Sequence, residues 1–151
     1  MHSLVRRYLK TGIAFLGVGL LLGGIMIARR ELAGVYPSPY LVSAHTHAIL
    51  VGFVMMMILG VALWLFPRPE REDVRYRPAL AAAAYWLLTV GTLARVVAEL
   101  ARTVSASLAI RWVVVLGGFA QIAGLALFFF TMWTRIRAVG SQHREARGER
   151  F

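Results

Sequence analysis

Four runs free of Asp, Glu, Lys and Arg dominate this chain: Thr11–Ala28 (18 residues), Leu32–Pro67 (36), Pro78–Ala94 (17) and Trp112–Thr134 (23). A helix crosses about 30 Å of hydrocarbon with roughly 20 mostly apolar residues, so each run can supply one crossing. Backbone amides in hydrocarbon have no water to bond, and a helix satisfies them within its own segment. The expected fold is an all-α integral membrane four-helix bundle. Its spans fall at about 8–28, 40–66, 79–101 and 108–134, inside a domain of about 1–137 with a polar tail over 138–151. Hydrophobic residues are 59% of the chain and charged ones 16%, which excludes a soluble enzyme, a secreted module and a disordered segment. The absence of cysteine excludes disulfides, thiolate-bound haem and iron–sulfur clusters.

The net charge of +10 comes from 17 Lys and Arg against 7 Asp and Glu. These charges lie between the apolar runs, so they speak to topology; no nucleic acid partner is expected. With four spans, the N-terminus, the loop 67–78 and the tail share one side, and that side carries 12 Lys and Arg. The other side carries Arg29, Arg30, Arg102 and Arg111. Positive residues in short loops stay on the cytoplasmic side, so both termini are expected there, in the cell's inner (plasma) membrane. The basic face suits anionic lipid. The first run begins like a signal peptide but lacks a small-x-small cleavage pattern before Arg29, and it is expected to persist as a helix.

Local signals set the ends and contacts of the spans. Ser38 can cap the second helix and Pro39 suits its first turn, while Pro67 and Pro69 stop it. Tyr36 and Tyr40 fit an interfacial aromatic belt, and Trp64, Trp86, Trp112 and Trp133 read as belt and packing residues. Arg135 and Arg137 read as interface anchors. Gly19 and Gly23 share a helix face, which favours close packing within the chain's own bundle over a dimer seam.

Polar groups at membrane depth are costly and each asks for a reason. His45 and His47 stand about one turn into the second span; His2 and His143 lie in the polar termini. Neutral imidazole ligates haem iron or copper. Residues two apart on a helix point about 200° from each other, so a regular helix cannot aim both at one metal. Three readings stay open: a haem ligand with a second histidine facing a neighbour, an irregular turn chelating copper, and two interfacial histidines bonding to backbone or lipid. Arg95 and Glu99, spaced i,i+4 in the third span, can form an ion pair; Arg95 is also a candidate partner for a haem propionate. Arg29 and Arg30 are alternatives in that role, read first as anchors. Gln121 can bond across helices. Met55, Met56 and Met57 read as packing.

The stretch Ala44-His45-Thr46-His47-Ala48-Ile49-Leu50-Val51-Gly52-Phe53, with the methionines, Gly60 and Trp64-Leu65-Phe66-Pro67, resembles the second helix of the catalytic subunit of haem–copper oxidases and nitric oxide reductases. In that family a histidine near the outer end of this helix is an axial ligand of the low-spin haem. The resemblance implies His45 as ligand, with His47 second, and haem b as cofactor. Copper is the alternative.

The chain departs from that family's full subunit in having four spans and no histidine in the first, third or fourth. It cannot build the oxygen-reducing binuclear centre alone, so a complete oxidase is not expected. The reading is a haem b-binding membrane protein related to the amino-terminal part of that subunit, working in electron transfer or in binding nitric oxide or oxygen. A homodimer would supply a second axial histidine; otherwise the haem is five-coordinate. The rival readings are a copper-binding protein and a structural accessory or assembly protein of a respiratory oxidase. A respiratory complex or redox partner is expected in either case.

Overall fold

A computed structural model describes residues 3–67, 73, 75, 77–137, 140, 144, 147 and 148. Four helices in it are long and apolar enough to cross a membrane: Ser3–Ala33, Pro39–Leu65, Pro78–Arg102 and Leu108–Arg135. No strand occurs among the described residues. The protein is therefore an all-α, multi-pass membrane bundle, as its charge-free runs require.

The first helix has 31 residues, or about 46 Å at 1.5 Å per residue, and so overshoots the expected 8–28 at both ends. At its start, exposed Arg6, Arg7 and Lys10 alternate with buried Leu4, Val5 and Tyr8, an amphipathic turn that continues the helix out of the hydrocarbon. At its end, Gly34 takes φ +64° and its amide bonds back to the Arg30 carbonyl at 3.2 Å. A left-handed residue there closes the helix, and glycine adopts it without a Cβ clash. The second helix starts as expected: the Ser38 hydroxyl accepts from the Leu41 amide at 3.3 Å, and Pro39 opens the first turn.

The middle of the second helix is not α-helical. Ala48–Met55 form a π-helix between the α-helical stretches Pro39–His47 and Met56–Leu65. The sequence contains the cause. Ala44, Ala48, Gly52, Met56 and Gly60 recur at steps of four, and all five are buried. In a straight α-helix each step of four drifts about 40°, so this stripe would turn by about 160° from Ala44 to Gly60. Widening the turn from i→i+4 to i→i+5 bonding cancels that drift. The stripe then stays buried along its whole length.

Packing runs in chain order. The first helix lies against the second, the second against the third, and the third against the fourth. One core, at the end where the first helix starts and the fourth ends, takes residues from all four: Tyr8, Met56, Leu59, Tyr85, Leu88, Phe128 and their neighbours. The Tyr8 ring meets Tyr85 and Phe128 edge-on. A second core, nearer the histidines, joins Phe15 and Leu22 to Leu41, Ala44, Ala48 and Val96, without the fourth helix.

Glycines set the close approaches. A Cβ on Gly23 would meet the His45 ring at 3.0 Å, and one on Gly19 would collide with Ile49. Both face the second helix, so the pair serves the chain's own bundle. A Cβ on Gly52 would stand 2.5 Å from Phe15 Cγ. Gly52→Ala should therefore cost about 1–3 kcal/mol through overpacking. Gly24→Ala, with nothing within 4 Å of the new atom, is the neutral control. Thermal melts of both variants in detergent will show the difference.

Arg135 is not the lipid-facing anchor its position suggests. It is 4% exposed, and its guanidinium donates to the carbonyls of Leu63 (3.2 Å), Phe66 (3.3 Å) and Pro67 (2.7 Å). Those carbonyls sit at the end of the second helix, where no further turn supplies partners. The side chain thus caps one helix from another. Glu70, Glu72, Arg68, Arg71, His2, His143 and most of the tail 138–151 lie outside the described residues.

Candidate functional site

The two histidines leave the same regular turn in different directions. His45 turns to the first helix, where its Nδ1 lies 2.9 Å from the Gly19 carbonyl oxygen. A carbonyl only accepts, so Nδ1 carries the proton and donates. In the neutral ring Nε2 is then the lone-pair nitrogen. Glycine at positions 19 and 23 lets the imidazole lie close against the first helix.

His47 turns to the third helix. Its Nδ1 donates to the Ser43 carbonyl at 2.8 Å and lies 3.3 Å from Glu99 Oε2. The pair therefore does not present two nitrogens to one ion; this is the 200° separation realised on an α-helical stretch. No group of three or more His, Asp or Glu side chains able to hold a metal occurs among the described residues.

Glu99 is the hub of the second cluster. It is 2% exposed. The Ser43 hydroxyl donates to its Oε1 at 2.8 Å, and Arg95 Nε donates to the same oxygen at 3.0 Å. The i,i+4 ion pair between Arg95 and Glu99 is thus formed as their spacing suggests. Arg95 Nη1 also donates to Gln121 Oε1 at 3.2 Å, and Gln121 Nε2 donates to Thr92 Oγ1 at 3.0 Å. The chain of contacts ties the second helix to the third and the third to the fourth. It joins His47 to Arg95 through Glu99 and leaves His45 apart.

A carboxylate at this depth is tolerable because the Arg95 guanidinium and the Ser43 hydroxyl donate to it. Ser43, which donates to Glu99, and Thr92, which accepts from Gln121, escaped the sequence reading. Ser43 stands one turn before His47, and Thr92 one turn before Arg95; polar residues at i,i+4 or i,i+3 beside an ionisable group were the available signal. Arg29 and Arg30 stay at the exposed end of the first helix, with Arg30 paired to Glu31 at 2.7 Å. Tyr40 closes the same end of the bundle from the second helix, accepting from Arg102 Nη2 at 2.7 Å beneath a cation–π contact.

Four membrane-crossing helices, one carrying an imidazole bonded to a neighbouring helix's backbone carbonyl, define a multi-pass helical membrane protein. The chain belongs to the cytochrome c and quinol oxidase polypeptide I family, whose model matches residues 3–146. No curated protein and no solved structure matches it.

Proposed function

We propose that this protein binds haem b through His45 and acts in electron transfer or in binding nitric oxide or oxygen. The observation that carries the reading is the Nδ1–H bond from His45 to the Gly19 carbonyl. Histidine ligands characteristically donate one ring nitrogen to a carbonyl or carboxylate while the other faces the metal, which fixes the tautomer and the ring plane. The donor set fits haem: an imidazole whose Nδ1 is turned to a carbonyl and whose Nε2 remains for iron, half-buried between apolar helices, in a family whose members use haem. Bound haem would supply one-electron chemistry at iron. The chain's own part is to hold the imidazole rigid and to keep water away with the side chains of the first and second helices.

On this reading His47 does not bind the iron; it hydrogen-bonds within the Glu99 cluster. Arg95 spends two donors on Glu99 and Gln121, on the third and fourth helices, whereas His45 faces the first. We therefore assign its guanidinium to the Glu99 cluster rather than to a propionate. A histidine of a second copy about a two-fold axis would supply a further ligand to the iron, or a diatomic gas would bind there. The basic end is cytoplasmic, the membrane is the plasma membrane, and the partners are a respiratory complex or a redox protein.

The test is the visible spectrum of the purified, haem-supplied protein together with its metal content. A b-type Soret band near stoichiometric iron is expected. Stoichiometric copper without porphyrin would replace the reading with copper binding. A colourless, folded protein that travels with a larger respiratory complex would replace it with a structural accessory role.

A further inference from the structure

We propose that the groove between the third and fourth helices binds one anionic phospholipid, whose phosphate is taken by Arg95. This inference is independent of haem on His45.

Arg95 side-chain exposure is 26%, high for a charge placed among membrane-spanning residues. The exposed part opens into a surface groove of about 250 Å³ lined by Val114, Val115, Gly118, Phe119 and Ile122. Phe119 and Ile122 are 65% and 64% exposed, so the groove faces the lipid side of the bundle. Two of the five guanidinium donors are used, one on Glu99 and one on Gln121. The remaining N–H groups have no protein partner among the described residues. Hydrocarbon offers them none either, and an unmatched donor there is expensive.

Depth identifies what can match them. Arg95 lies seven residues before Arg102, the end of the third helix, or about 10 Å along its axis. A 25-residue helix is about 37 Å long and overhangs the hydrocarbon at each end. The guanidinium is thus within snorkelling reach of the headgroup layer at the histidine end. A phosphate suits it because the guanidinium fork pairs two oxygens at once, and an anionic lipid suits it best because its headgroup brings no cation of its own to neutralise that phosphate. The apolar walls then accept the acyl chains.

Gly118 makes the groove. Its missing side chain leaves room for the guanidinium, since a Cβ there would stand 3.0 Å from Arg95 Nη1. A larger residue would fill the groove and press on that guanidinium edge.

The experiment is native mass spectrometry of the detergent-purified protein titrated with phosphatidylglycerol or with phosphatidylcholine of the same chains. The wild-type chain should retain one phosphatidylglycerol with a clear preference over phosphatidylcholine. Arg95→Gln should lose the preference, and Gly118→Leu should lose the bound lipid while keeping wild-type helicity. Equal retention of both lipids by the wild type, or unchanged retention in a folded Gly118→Leu variant, overturns the proposal. So does an Arg95→Gln variant of a haem-loaded protein that releases haem while keeping its lipid preference, because that assigns the guanidinium to a propionate.

Discussion

Glu99→Ala should destabilise the bundle by about 3 kcal/mol, measured by denaturant titration in mixed micelles. Removing one member of a buried ion pair costs about 3–5 kcal/mol because the partner is left charged and unmatched. The lower figure applies since Arg95 keeps some exposure. The substitution also strips an acceptor from the Ser43 hydroxyl and leaves His47 without its carboxylate neighbour. Glu99→Gln, which keeps an oxygen for Ser43 and Arg95, should fall between. The decisive comparison is the double variant Arg95→Leu with Glu99→Leu. Replacing both members by apolar groups removes the desolvation cost together with the attraction, so stability should return to within about 1 kcal/mol of wild type. A Glu99→Ala variant as stable as the parent would mean that lipid headgroups or water already solvate the cluster.

Much of this arrangement was legible in the residues themselves. The four spans follow from where charge is absent, and the start of the second helix follows from Ser38 and Pro39. The divergence of His45 from His47 follows from 100° per residue on an α-helical turn. The Arg95–Glu99 pair follows from i,i+4 spacing. These features are local, and local geometry is what a sequence states directly.

What was not legible depends on neighbours. The steps of four from Ala44 to Gly60 are visible in the chain. Their consequence, a π-helical segment, appears only when the first helix demands a continuous small face from the second. Arg135 looks like any interface anchor until the cut end of the second helix is placed beside it with its carbonyls unmet. Gln121 was recognisable as a residue needing a cross-helix partner, but the identity of Arg95 and Thr92 as its partners requires the register of the third helix on the fourth. That register is set by mutual glycine contacts, in which Gly91 and Gly117 each lie against the other's backbone oxygen. No pattern within either helix alone fixes which pair will meet.

His45→Ala should purify folded but with roughly tenfold less haem or lower still, while His47→Ala keeps most of it. The argument rests on what each ring nitrogen already does. At both residues Nδ1 donates to a carbonyl, so Nε2 is the ring nitrogen left over for a ligand bond in each. The difference is orientation: His45 lies against the glycine face of the first helix, whereas His47 lies in the Glu99 cluster on the third-helix side. Gly23→Leu extends the test without replacing the ligand. Its side chain would press on His45 Cε1, and loss of a ligand's supporting contacts commonly costs 10–100-fold in metal affinity. Free imidazole added to His45→Gly should restore part of the Soret band, because the small ligand can occupy the vacated volume. Two results would defeat the assignment. Equal Soret bands in the His45→Ala and His47→Ala proteins would place the iron elsewhere. A band lost only on replacing His47 would move the ligand to the third-helix side, and Glu99 would then become the group that orients it.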